Sequence, residues 1–185
     1  MKRQLSQIVR ELEQSEAKLT KLSEKIPDAV WAQRNDEARW SVSECIAHLN
    51  LTSEAYIPLI RRALEEARQL PEARGSYKRD MLGAIFGGLV GPLMRVGKFR
   101  FGRVPTTAGF VPRGQQPKNV SVAEFRRLQD ELSRLVREAD GKAIDQVQIT
   151  SPFGGKIRYN CYSAFVMIPR HQMRHLEQAE EVWGD

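Results

Sequence analysis

The stretch WSVSECIAHL, Trp40–Leu49, decides the fold. Ser41 and Glu44 have the Ser-x-x-Glu spacing of a capping box, in which hydroxyl and carboxylate each satisfy a backbone amide left open at a helix start. A helix therefore begins here, and Glu44, His48, Thr52 and Ala55 recur along one of its faces. It runs toward Arg68, with a kink expected at Pro58, which removes one backbone hydrogen bond.

Upstream, Leu5, Ile8, Val9, Leu12, Leu19, Leu22 and Ile26 recur at helical spacing and predict a first helix over about 2–25, ended by Pro27. Downstream, Ser121 and Glu124 repeat the capping-box spacing and predict the start of a third helix. Its apolar face is Val122, Phe125, Leu128, Leu132, Leu135, Val136 and Ala139, and Gly141 is its stop. Gln146–Thr150 and Lys156–Tyr159 flank the turn-rich SPFGG as a short hairpin or an ordered loop. From Asn160 to about Trp183 the period is helical again, with Pro169 expected to bend the helix just before His171. Residues 71–118 break the pattern with glycines, prolines and the apolar run Met81–Met94. The prediction is an all-α four-helix bundle with a long irregular insertion between the second and third helices. At 185 residues it fits a single domain, 1–185.

The chain has three histidines: His48 on the second helix, and His171 and His175 as H-x-x-x-H on the fourth. Side chains four apart on a helix lie on one face, about 5–6 Å apart at Cβ. Two imidazoles can thus converge on one ion, and a third from another helix leaves coordination positions open. The pair lacks the glutamate of an HExxH zincin protease. Gln178 continues the face of His171 and His175, and Glu44 stands one turn before His48. Both are candidate catalytic residues of lower rank, and no general base is assigned.

W-S-x-x-E-x-x-x-H-L at 40–49, followed by H-x-x-R-H-L-x-Q at 171–178, resembles the DinB-like family of small four-helix-bundle proteins. The resemblance covers nearly the whole element order. It implies a divalent ion, zinc or nickel, on His48, His171 and His175. It also implies a metal-dependent hydrolase or a thiol S-transferase acting on a small molecule, anionic or a low-molecular-weight thiol. The alternative is a non-catalytic metal- or ligand-binding bundle in a stress response or an interaction. A homodimer is the expected assembly.

The net charge of +6 is unevenly placed. Between Gly75 and Lys118 stand Lys78, Arg79, Arg95, Lys98, Arg100, Arg103, Arg113 and Lys118 against Asp80, so the rest of the chain is close to neutral. This segment reads as a solvated loop, a recruiter of anionic substrate to the metal, or a surface touching a membrane or partner. RVGKFRFGR mixes Arg, Lys and Phe, but no nucleic-acid-binding fold surrounds it, so nucleic acid is not the expected partner. Met81–Met94 is shorter than the ~20 residues that cross a bilayer. The charged start MKRQLSQIVRELEQ and two cysteines without a disulfide pattern, Cys45 and Cys161, point to the cytoplasm.

Overall fold

The computed structural model describes residues 1–72, 75–90, 94–96, 99–101, 106–154 and 157–184. Four long helices form the body: α1 (Arg3–Lys25), α3 (Val42–Ala67), α5 (Lys118–Glu138) and α6 (Cys161–Gly184). A single turn, α2 (Asp28–Trp31), lies in the connection from α1 to α3, and α4 (Met81–Val90) lies in the insertion. Two small antiparallel hairpins accompany them: β1 (Met94–Val96) with β2 (Phe99–Phe101), and β3 (Gln148–Thr150) with β4 (Arg158–Asn160). Of the hairpin and the ordered loop left open around SPFGG, the second pair is the hairpin, with Ile149 opposite Tyr159.

Each of α1 and α3 packs on both α5 and α6. The bundle therefore runs α1–α5–α3–α6 around its axis, and the two long helices that come first in sequence stand diagonally. The apolar stripe of α1 is buried as its spacing requires, from Leu5 through Leu22. α3 starts as read: Ser41 Oγ accepts from Glu44 N at 3.2 Å, and Ser41 N donates to Glu44 Oε2 at 2.9 Å. Pro58 and Pro169 both lie inside their helices.

The start of α5 corrects the sequence reading. The helix begins at Lys118 behind Pro117, and Ser121 is one turn inside it, donating to the Lys118 carbonyl at 3.1 Å. Glu124 pairs forward with Arg127. Pro117 holds the extended backbone a helix entry needs, and Lys118–Val120 are compatible with helix, so the turn closes before the serine is reached.

Two apolar clusters fill the bundle. One takes Leu5–Leu12, Tyr56–Ala67, Leu128–Ala139 and the start of α6; the other takes Leu19–Trp31, Val42–Leu49, Val122, Phe125, Leu176 and Ala179. Between them lies a polar layer with a member from every long helix: Ser15, Ser53, Gln129 and Gln172, all at most 2% exposed. Gln172 Nε2 donates to Gln129 Oε1 at 2.7 Å, and Gln129 Nε2 donates to the Leu12 carbonyl at 2.9 Å. A buried amide must be bonded to be tolerated, and these bonds tie α6 to α5 and α5 to α1.

The insertion is less irregular than its composition suggests. α4 is held against α6 by Asp80, whose Oδ1 accepts from Gly83 N at 3.1 Å and from Ser163 Oγ at 2.9 Å. A 3-10 turn at Ala108–Phe110 lies against α3. Lys98 and Arg103 lie outside the described residues. Among the described residues, no helix is long and apolar enough to cross a membrane.

Candidate metal centre

At the polar layer, α3 supplies His48, and α6 supplies His171 and His175 one turn apart. One ring nitrogen from each lies within 4.8 Å of those of the other two. His48 Nε2 and His171 Nε2 are 3.3 Å apart. Two nitrogens bonded to one tetrahedral ion at about 2.0–2.1 Å stand at nearly that separation. The ring centroids are 4.5 Å apart for His48 and His175, 4.6 Å for His171 and His175, and 5.1 Å for His48 and His171.

Two of the rings are oriented from behind. His48 Nδ1 lies 2.8 Å from the Phe110 carbonyl oxygen. A carbonyl only accepts, so Nδ1 carries the proton and Nε2 presents a lone pair to the cluster. His175 Nδ1 lies 3.1 Å from Gln178 Oε1, which sets its tautomer in the same way. Outward N–H bonds to carbonyl or amide oxygens are what hold metal-ligating imidazoles in register. The donor set fits a divalent cation: three neutral nitrogens, and among the described residues no fourth histidine, cysteine, aspartate or glutamate joins them.

A family model for the DinB superfamily matches residues 11–179. The chain belongs to the DinB superfamily. No curated protein matches it by sequence. Among solved structures it is similar to YfiT from Bacillus subtilis, at 16% identity and a TM-score of 0.60 over 98% of this chain and 87% of that one. YfiT is described as a probable metal-dependent hydrolase with an unusual four-helix bundle topology.

In this DinB-superfamily protein all three imidazoles are pushed toward the neutral form. His171 is lowered to about 3, first by burial and then by His48 and the Arg174 guanidinium. His175 is lowered well below the ordinary value, by burial and then by His171, His48 and Arg174. Burial lowers His48 against its bond to Phe110, which raises it. Neutral imidazole is the form that binds metal.

The remaining sequence candidates have definite places. Glu44 accepts from Arg34 Nε at 2.8 Å and from Ser41 N and Oγ at 2.9 and 3.0 Å. Arg34 Nη2 holds its other oxygen, and these bonds, led by Arg34, keep the carboxyl below its usual range. The carboxylate is thus engaged at the helix start. Gln178 bonds a histidine ring rather than standing free beside it. Cys45 is fully buried, and burial pushes its thiol far up, so it behaves as a small apolar side chain. Arg174 donates to the Leu89 carbonyl at 2.7 Å, joining α6 to α4.

Sequence reasoning missed four contributors. Trp40 has its ring 5.0 Å from His48 and 5.9 Å from His175. Phe153 lies 5.8 Å from His171 and 4.7 Å from Phe110, and Thr107 Oγ1 donates to the Phe153 carbonyl at 2.7 Å. Gln172 packs beside His171 with its Oε1 buried and without a partner. Phe110 acts through its backbone, which no side-chain pattern could reveal. Trp40 alone had a signal, its fixed place eight residues before His48. A pocket of about 10 Å³, roughly one water, opens beside His171 among Thr52, Tyr56, Phe153, Met167 and Gln172.

Proposed function

We propose that this DinB-superfamily protein is a metal-dependent hydrolase or thiol S-transferase that holds one divalent ion, zinc or nickel, on His48, His171 and His175. The observation that carries the proposal is the 3.3 Å approach of His48 Nε2 to His171 Nε2, with the His48 proton held on the opposite nitrogen by Phe110. When bound, the ion supplies Lewis-acid chemistry, lowering the pKa of a water or thiol toward neutrality. A neutral three-nitrogen set leaves its charge undiminished, and the absence of a fourth ligand among the described residues supports an open position. Membership of the DinB superfamily and the likeness to YfiT, a probable metal-dependent hydrolase, point the same way.

The chain's own part is positioning. Phe110 and Gln178 fix which nitrogens face inward. Trp40 and Phe153 wall the cluster and limit water around it. The pocket beside His171, with room for about one water, is lined by Thr52, Ser53 and Gln172. A water held there would donate to Gln172 Oε1, which has no partner among the protein atoms.

Protein purified without nickel resin should carry about one divalent ion per chain, and His48→Ala, His171→Ala and His175→Ala should each lower that ratio. A screen of small esters, amides and thiol-transfer pairs should then show turnover that chelation removes and metal restores. Full metal content in all three variants would refute the site. A loaded site inactive throughout the screen would favour the non-catalytic binding bundle.

A further inference from the structure

α4 is turned inside out for a helix packed on a bundle. Its inward stripe is Gly83 and Gly87: a Cβ on Gly83 would stand 2.2 Å from Ser163 Oγ, and one on Gly87 would stand 3.3 Å from Met167 Cγ. Four of its apolar side chains face out instead, with Met81 75%, Ile85 52%, Leu89 45% and Leu82 43% exposed. At 100° per residue these four fall on one arc opposite the glycines. The helix thus adds an apolar surface of its own.

Beside α4 lies an open cleft of about 410 Å³ between α1 and α6, lined by Arg3, Arg10, Arg79 and Arg170 with Tyr162 and Glu11. All four arginines are exposed, and among the described residues none is ion-paired. Arg79 joins cleft to helix, since its Nη1 lies 3.4 Å from the Cβ position of Gly87. The sequence continues the theme, with Lys78 and Arg79 just before α4 and Arg95, Lys98, Arg100 and Arg103 after it.

We propose that α4 and this arginine cleft form a docking surface for an anionic lipid bilayer, independent of the chemistry at the histidines. Ten helical residues span about 15 Å, half the hydrocarbon thickness, so α4 would lie in the interface plane with its apolar arc among the acyl chains. The arginines would meet lipid phosphates. A second copy of the chain fits less well, because it would cover the apolar arc while bringing no anion to the arginine cleft. Nucleic acid would leave the apolar arc wet.

Co-sedimentation of the full-length protein with vesicles of phosphatidylcholine containing phosphatidylglycerol, against phosphatidylcholine alone, tests this. Binding should appear with the anionic vesicles only and should fall as salt is raised. Ile85→Glu with Leu89→Glu should weaken it at least tenfold, and Arg79→Gln and Arg170→Gln should each weaken it roughly fivefold. Melting temperature and metal content of these surface variants should match the parent. If the glutamate pair does not fold, Ile85→Trp with brominated lipids replaces it, and quenching of that tryptophan is the expected result. Absence of binding to anionic vesicles at low salt overturns the proposal. Equal binding to neutral vesicles does too, as does a dimer in sedimentation equilibrium that Ile85→Glu with Leu89→Glu dissolves while vesicles stay unbound.

Discussion

At the scale of single residues, the centre depends on which nitrogen of each ring carries its proton. Removing the Gln178 amide frees the His175 ring to turn, and lost outer bonds of this kind cost about 10–100-fold in metal affinity. Gln178→Ala should therefore weaken metal binding by that order in a competition titration, while Gln178→Glu, which still accepts from Nδ1–H, should retain most of it. The depressed histidines also set the pH response. Unfolded imidazoles take up protons near ~6.5, but the folded ones resist, His171 down to about 3. The unfolded state then binds more protons, so stability is full above about 6.5 and declines as pH falls below it. Calorimetry of the metal-free protein should show the melting temperature falling from that pH downward, with a shallower fall in His171→Gln. The convergence of His171 and His175 was legible, because spacing four on one helix is a geometric statement. The supports of His48 and His175 were not: one is a backbone carbonyl, and the other bonds a ring rather than a reactant.

Among the elements, α3 and α4 show how far local pattern reaches. The Ser41 cap was readable, and Ser41→Ala should cost about 1 kcal/mol in denaturant unfolding, since it leaves the Glu44 amide without its acceptor. The same Ser-x-x-Glu spacing at Ser121 misled because Pro117 had already opened the helix, and a pattern of two residues does not say which turn it belongs to. α4 was legible as an apolar run but not in its orientation. The close approach to Ser163 shows that Gly83 faces the bundle. Gly83→Ala should therefore destabilise by about 1–3 kcal/mol through overpacking, and Ser163→Gly in the same chain should recover part of that loss.

For the molecule as a whole, the polar layer divides two apolar cores and carries the centre at its side. Gln129→Leu alone strands the Gln172 amide and should cost about 1–3 kcal/mol. Gln129→Leu with Gln172→Leu removes donor and acceptor together and should cost less than the two single changes combined, as a double-mutant cycle would measure. The diagonal placement of α1 and α3 has a consequence in time. The two cannot zip against each other as the first hairpin of an up-and-down bundle does. Each must wait for α5 and α6, up to more than a hundred residues away, and closing such loops precedes any reward in contacts. This chain should refold more slowly than an up-and-down bundle of its length. Because His48 meets His171 only when α6 docks, the histidine cluster assembles late and marks the completed fold.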